Sequence, residues 1–359
     1  MSEADSGGLA AKFRRLIAHS GPISLAQYMG EANARYYNSR DPLGSAGDFV
    51  TAPEISQMFG ELVGLWLADM WDRAGRPDRV HYVELGPGRG TLARDALRAM
   101  AQHRLRPHVH FVEGSAALQQ AQQGHVPGAS WHGDLSTLPE DAPILLVANE
   151  FLDALPVRQL VLTPDGWRER MVAVKDGAFV CVAGDQPMDS ALPEALREAP
   201  EGTLVETCPA AAAVVGEAAQ RLAAQGGAAL FIDYGHTRLR SGSTLQAVRG
   251  HRKVDPFADP GEADLTAHVD FATLAPIAAA HGARWLGTAA QGTWLAALGI
   301  EIRAQALAGS SPQQAAAVHE AKERLAGASQ MGELFKVMGL AGPGWPDGAG
   351  FDIREAARG

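Results

Sequence analysis

Two hydrophobic periods run along this chain, and the switches between them mark out its elements. Near the start, positions 9–19 repeat at helical spacing, Gly21-Pro22 interrupts them, and Ser24 is placed to cap a second helix. A turn-rich stretch over 36–44 leads into Gly47-Asp48-Phe49-Val50-Thr51-Ala52-Pro53-Glu54. Met58, Leu62, Leu65, Trp66 and Met70 then form the apolar stripe of one long helix over 55–71. The pattern changes at His81-Tyr82-Val83-Glu84-Leu85, a short buried strand that ends in Gly86-Pro87-Gly88-Arg89-Gly90. A helix over 91–103, strands over 109–112 and 129–131, and a continuous apolar run over 143–148 follow. Such a run suits a parallel strand covered on both faces. Strands alternating with helices, each strand ending in polar residues, predict a doubly wound α/β sheet with a Rossmann-like order.

Beyond residue 155 the period drops to two. Segments 157–162, 167–174 and 178–182 are joined by Pro164-Asp165-Gly166 and Asp176-Gly177, which predicts an antiparallel insertion over about 155–207, with 203–207 extending it. An alanine-rich helix over 210–225 returns the chain to a fifth buried strand, 227–235. A loop-rich strip over 243–256, a helix over 270–281, a strand over 284–288, a helix from Gln291, a helix over 313–326 and a last strand over 334–338 complete the pattern. The organisation expected is a helical leader over 1–75 and a main α/β domain over 76–359. Asp48, Thr51 and Glu54 either cap the helix they precede or belong to a lid over the ligand, and the sequence leaves both readings open.

With 359 residues, 46% of them hydrophobic, the chain can bury a large core and exceeds a minimal domain. A formal charge of −10 argues against a general nucleic-acid binder, whose phosphate-tracking surface needs clustered Lys and Arg. Cys181 and Cys208 lack metal-site spacing and read as buried thiols in a reducing compartment. Met1 to Gly8 is short and acidic, and no apolar run reaches a membrane span, so membrane insertion is not expected and a cytoplasmic location is. His103, His108 and His110 have no acid or Cys completing a ligand set and read as solvated, so no metal is assigned. His251 and His268, near Asp255, Asp264 and Asp270, read as a wall of a substrate cleft, with a structural role for His268 the alternative. Neither a Gly-x-Ser-x-Gly elbow nor a P-loop occurs.

The chemistry concentrates at strand ends. Gly86, Gly88 and Gly90 let backbone approach a ligand, and Glu84 offers a carboxylate beside them. A dinucleotide fingerprint would need its third glycine at the position of Thr91; the pattern present instead resembles motif I of class I S-adenosylmethionine (SAM)-dependent methyltransferases. Glu113 ends the second strand where such folds hold both ribose hydroxyls, and Asp134 follows the third, where the methyltransferase layout places an acid against the adenine amino group. Asn149, Glu150 and Asp153 end the fourth strand, beside the expected methyl group. Asn149 is thus a candidate for both cofactor binding and catalysis. Carboxylates there could fix the plane of a guanidinium and localise its charge away from the attacking nitrogen. Stabilisation of a helix N-terminus is the plainer role for Glu150 and Asp153.

Several stretches are more specific still: Gly47-Asp48-Phe49-Val50-Thr51-Ala52-Pro53-Glu54-Ile55-Ser56, Glu84-Leu85-Gly86-Pro87-Gly88-Arg89-Gly90, Asn149-Glu150-Phe151-Leu152-Asp153-Ala154-Leu155-Pro156, Ile232-Asp233-Tyr234-Gly235, Asp264-Leu265-Thr266-Ala267-His268-Val269-Asp270-Phe271 and Met331-Gly332-Glu333-Leu334-Phe335-Lys336-Val337. With them the chain resembles the MidA-like family of class I SAM-dependent methyltransferases over nearly its whole length. The resemblance implies SAM as cofactor and protein-arginine methylation. It also implies, from mitochondrial members that act in respiratory complex I assembly, the large catalytic subunit of complex I as protein substrate. Glu54 becomes a further catalytic candidate, in reserve behind Glu150 and Asp153. A SAM-binding assembly chaperone without turnover and a nicotinamide-dependent oxidoreductase are the alternatives. The oligomeric state stays open, a homodimer being one option.

Overall fold

The buried runs read from the sequence line up in the middle of one sheet. The structure, a computed structural model, describes residues 8–39, 50–191, 196 and 199–351. Residues 40–49, which include Asp48 and most of the turn-rich stretch, lie outside the described residues.

The leader contains α1 (Leu9–Ser20), the two-residue strand β1 (Ile23–Ser24), α2 (Leu25–Ser39), the short α3 (Ala52–Ile55) and α4 (Gln57–Arg73). Ser24 caps as expected, its hydroxyl accepting from the Gln27 N–H at 3.0 Å. The long helix expected over 55–71 is α4, begun two residues later, and Ile55 instead ends the short α3. Ser56 is extended, with φ −162° and ψ 142°, and its hydroxyl accepts from Met58 N at 3.2 Å to start α4 afresh. That cap satisfies an otherwise orphan helix donor, so the break costs little.

The central segment is β2 (His81–Leu85), α5 (Thr91–Gln102), β3 (His108–Val112), α6 (Ala116–His125), β4 (Ser130–His132) and β5 (Ile144–Asn149). Next comes the insertion: β6 (Arg158–Thr163), β7 (Gly166–Lys175), β8 (Ala178–Pro187) and β9 (Leu204–Thr207). Asp176 and Gly177 both have positive φ, 52° and 80°, the two-residue turn that matches the twist of a hairpin. β1 joins this sheet antiparallel to β7, pairing Ile23 with Val172, so the leader is anchored on the insertion.

The chain returns through α7 (Pro209–Gln225) and β10 (Gly227–His236), then β11 (Gln246–Arg249), β12 (Arg252–Val254), β13 (Asp264–Thr266) and β14 (Val269–Asp270). The strip expected to be loop-rich therefore carries β11 and β12, which with β13 form a three-stranded sheet in the order β12-β11-β13. Its hairpin turns on Gly250 and His251, both with positive φ, a pair whose sequence does not advertise a turn as Asp-Gly does. α8 (Phe271–Ala280), β15 (Arg284–Ala290), α9 (Gln291–Ala297), α10 (Ile300–Ser310), α11 (Ala315–Ala326) and β16 (Phe335–Ala341) close the fold.

Strand order in the main sheet is β15-β16-β10-β5-β2-β3-β4, with β14 beside β10. β10, β5, β2, β3 and β4 are parallel, and β16 runs antiparallel between β10 and β15. This is the Rossmann-like sheet expected, with a reversed hairpin at one edge. One face is covered by α4, α5 and the helices after β15, through Phe59, Val63, Trp66, Leu92, Trp294 and Leu325. The other is covered by α7 and α8, through Val215, Leu222, Phe271 and Leu274. α4 thus belongs to the same core as the sheet. It lies tight on α5: a Cβ at Gly64 would sit 2.4 Å from the Ala96 carbonyl oxygen.

His110 departs from its solvated reading. Only 8% exposed, it lies between His81 and His132, with ring nitrogens 3.0 Å apart on each side, and His81 in turn meets Asp141 at 2.9 Å. Three adjacent strands put these rings in one row, which the spacing within any one strand cannot show. Burial and the neighbouring rings push His110 down to about 4.

Candidate functional site

A cavity of about 410 Å³ opens at the carboxyl ends of β2, β3 and β5, the edge where ligands of such sheets bind. Its floor is the glycine turn. Gly86, Gly88 and Gly90 have φ of 59°, 54° and 82°, a region that side chains with a Cβ adopt at a cost. A Cβ on Gly86 would come within 2.7 Å of the Phe151 ring, so this backbone is packed as closely as glycine allows. Gln122, fully buried on α6, braces the turn from behind: its amide nitrogen donates to Gly88 O at 2.7 Å and to the Glu113 carboxylate at 3.3 Å. Trp131 Nε1 donates to the Gln122 amide oxygen at 2.7 Å.

Four carboxylates line the cavity: Glu54, Glu84, Glu113 and Glu150. Glu84, 3% exposed, accepts from the Tyr82 hydroxyl at 2.5 Å, and burial pushes it up to about 8. Glu113 accepts from Ser115 N at 2.7 Å, and burial raises its pKa against these bonds. Glu54 Oε1 accepts from the Thr91 hydroxyl at 2.5 Å, which fastens α3 to the first residue of α5. Glu150 Oε1 accepts from Ala52 N at 2.9 Å and from Asn149 Nδ2 at 3.3 Å. Desolvation, with Asp153 and Asp264 adding to it, pushes Glu150 up to about 8. Asn149 is 8% exposed, and its Oδ1 has no partner among the described residues, an acceptor buried at a wall of the cavity.

Of the candidate cofactor-binding and catalytic residues, Glu54, Glu84, Gly86, Gly88, Glu113, Asn149 and Glu150 line this cavity, as does Thr51, while Gly90, Asp134 and Asp153 do not. Gly90 stands just behind it as the N-cap of α5. Asp134 is turned away: its Oδ1 accepts from Ser136 N at 2.9 Å and from the Ser136 hydroxyl at 2.5 Å, capping the turn Leu135–Thr137, while Gly133 reaches the wall in its place. Asp153 lies behind the wall, 6% exposed and hydrogen-bonded to the Tyr234 hydroxyl, with burial pushing it up to about 6. A guanidinium clamp would need Glu150 and Asp153 to face one cleft, and helix N-terminal stabilisation would need a helix to start at them. Instead Glu150 takes a φ of +51°, no helix starts there, and the two carboxylates diverge. Thr51 occupies the N-cap position of α3 without a side-chain capping bond.

Asn33 and Tyr37, on α2 of the leader, also line the cavity and were not signalled by sequence. Asn33 Nδ2 donates to Ala154 O at 2.9 Å and Leu265 O at 2.8 Å, and its Oδ1 accepts from Leu265 N at 3.1 Å. Tyr37 donates to Asp264 Oδ1 at 2.8 Å. A polar residue inside an amphipathic helix reads as solvated unless its partners, more than a hundred residues away, are known. His268 lies on a different, smaller cavity with Cys208 and Leu274.

Four acidic side chains beside a close-packed glycine turn offer hydrogen-bonding oxygens to a ligand with a nucleoside-like frame. The glycine cradle, the Glu113 acceptor and the orphan Asn149 oxygen all fit SAM, a sulfonium. The comparisons with known proteins agree. A family described as "Putative S-adenosyl-L-methionine-dependent methyltransferase" matches residues 62–289. The Drosophila melanogaster protein arginine methyltransferase NDUFAF7 homolog, mitochondrial, is 37% identical over 382 residues, covering 94% of this chain and 86% of the relative. The human protein arginine methyltransferase NDUFAF7, mitochondrial, is 35% identical, covering 90% of this chain and 81% of the relative. A Burkholderia thailandensis protein crystallised with S-adenosyl-homocysteine superposes with a TM-score of 0.83 at 32% identity, over 95% of this chain and 93% of that one.

One expectation is overturned by these relatives. They are described as mitochondrial, which points to mitochondria rather than to the cytoplasm. Two half-buried free cysteines, Cys181 and Cys208, fit a reducing setting but name no compartment, so they do not separate the two.

Proposed function

The chain belongs to the MidA-like family of SAM-dependent methyltransferases, and from that premise we propose that it methylates an arginine of a protein substrate, with Glu150 as the residue that orients the guanidinium. The observation that carries this reading is the position of Glu150 and Asn149 at the end of β5, inside the same cavity as the glycine turn. SAM supplies an electrophilic methyl group when bound. The backbone of Gly86 and Gly88 and the carboxylate of Glu113 would hold it, as would the Asn149 amide.

Both protein bonds to Glu150 fall on Oε1, so Oε2 is the oxygen for a substrate N–H. A carboxylate there fixes the plane of the guanidinium and localises its positive charge, leaving electron density on the nitrogen that attacks. As the N–C bond forms and the C–S bond breaks, the nitrogen loses a proton, which Glu150 is placed to take. With an affinity near the working pH, Glu150 suits that role. Asp153, behind the wall, would act on Glu150 through charge. Glu54 would hold α3 against α5 beside the site. Positioning of acceptor and methyl can supply much of the acceleration.

The family resemblance supports the large catalytic subunit of complex I as the target. One chain supplies every lining residue named, so the reading holds for a monomer and a homodimer alike. The test is transfer of radiolabel from SAM to the reconstituted subunit, with the labelled residue mapped by mass spectrometry. Label on an arginine is expected. Binding of SAM and subunit without transfer would instead establish a chaperone.

A further inference from the structure

We propose that Asp233, a residue that does not line the cavity, is the positioning residue of the reaction: it winds the turn after Glu150 and so sets where the Glu150 carboxylate and the Phe151 ring stand. The inference rests on the reading of Glu150 just given and deepens it.

Asp233 lies on β10, next to β5, and is 1% exposed. Its Oδ2 accepts from three consecutive backbone amides, Phe151 N at 3.2 Å, Leu152 N at 3.0 Å and Asp153 N at 3.2 Å. Its Oδ1 accepts from Tyr234 N at 3.0 Å. Three successive N–H groups converge on one atom only when the backbone is coiled into a concave nest. Entry into that nest is the left-handed conformation of Glu150, φ +51°, a state that costs a residue with a Cβ on the order of 1 kcal/mol and persists only where the surroundings enforce it. The enforcement comes from β10 on both sides of the strained residue: Glu150 N donates to Ile232 O at 2.9 Å, and the next three amides go to Asp233.

The chemistry of the side chain is specific. Both oxygens accept, and four donors surround them. Asparagine would turn an N–H₂ group either toward Tyr234 N or toward the three amides, putting donor against donor. Glutamate would carry its carboxylate one methylene further, into the turn. Burial and the carboxylates of Asp153 and Glu150 push the Asp233 pKa up, and the amide donors work against that rise. The consequence reaches the cavity twice. Glu150 begins the nest, and Phe151, its first donor, lies against the Gly86 backbone at the distance only glycine tolerates.

Asp233→Asn and wild type are compared for SAM affinity by calorimetry, for methyl transfer to the complex I subunit, and for amide exchange in the 149–155 segment by NMR. The expected result is a SAM Kd within about threefold of wild type and kcat lower by about 100-fold, the scale of a misplacement near 1 Å. Fast exchange confined to the amides of Phe151, Leu152 and Asp153 should accompany it. A general loss of structure would lower SAM affinity and protection throughout. Protected amides at 151–153 in a folded Asp233→Asn protein overturn the proposal, as does wild-type kcat. If Asp233→Asn does not fold, Asp233→Glu, which keeps the charge and moves it, is measured in the same way with the same expected and overturning results. The exchange arm needs no turnover: wild type that never methylates an arginine sinks the reading of Glu150, while selective deprotection at 151–153 still assigns Asp233 to the turn.

Discussion

A single carboxylate illustrates how much of this site is set by solvent exclusion. Glu150 at about 8 is largely protonated at neutral pH, so the rate of methyl transfer should climb as pH rises through about 8. Glu150→Gln should lower the rate sharply and flatten that climb while SAM affinity survives; a pH–rate profile of both proteins at saturating SAM checks it. Glu84 gives the complementary stability prediction. Its folded pKa of about 8 lies above the ordinary 4.5, so the native state binds its proton more tightly than the unfolded chain does. That contribution to stability is full below about 4.5 and is lost as pH rises toward 8. Glu84→Gln cannot ionise, so its melting temperature should fall less than that of wild type on going from acid to pH 8. An equal fall in both would mean that Glu84 titrates normally. For Glu113→Ala, loss of a hydrogen-bonding carboxylate should weaken SAM by about 1.5 to 3 kcal/mol, read by calorimetry. Unchanged affinity would remove Glu113 from the ligand.

At the scale of elements, Asn33 ties the leader helix α2 to the turn that carries Glu150. Asn33 makes three hydrogen bonds that join α2 to Ala154 and to Leu265 on β13. Asn33→Ala removes three hydrogen bonds, two of them buried at Leu265, which should cost about 3 kcal/mol in urea unfolding. Amide exchange should rise first in α2. A loss under about 1 kcal/mol would show that water replaces the clasp. The same bonds explain why a helix far from the sheet in sequence can place Tyr37 on the cavity wall.

For the whole molecule, the question is where the catalytic domain begins. The boundary expected at residue 75 falls after α4, yet Met58, Phe59, Leu62, Val63, Trp66, Leu67 and Met70 are all within 2% of full burial in the core shared with the sheet. At about 1.5 to 3 kcal/mol for each such side chain, their loss would forfeit roughly 10 to 20 kcal/mol. That matches or exceeds the typical net stability of about 5 to 15 kcal/mol. A chain of residues 76–359 is therefore predicted not to fold. Cooperative thermal unfolding of that fragment, with SAM binding, would move the boundary back to residue 75.

The sequence by itself determined the alternation of strands and helices, the glycine turn, the Asp176-Gly177 hairpin and the family, because period, turn chemistry and motif are local properties. Only the tertiary structure decided which strand-end carboxylates reach the cavity. Glu150 and Asp153 have the same chemistry three positions apart, but the positive φ of Glu150 and the pull of Asp233 from another strand turn one inward and bury the other behind it. Asp134 reads as a ligand for adenine until its own turn claims both donors of Ser136. His110 reads as solvated in sequence, and Asn33 and Gln122 carry no signal there, because the partners that allow their burial come from other elements. A side chain's direction is fixed by the hydrogen bonds available around it, and those are assembled only when the chain has folded.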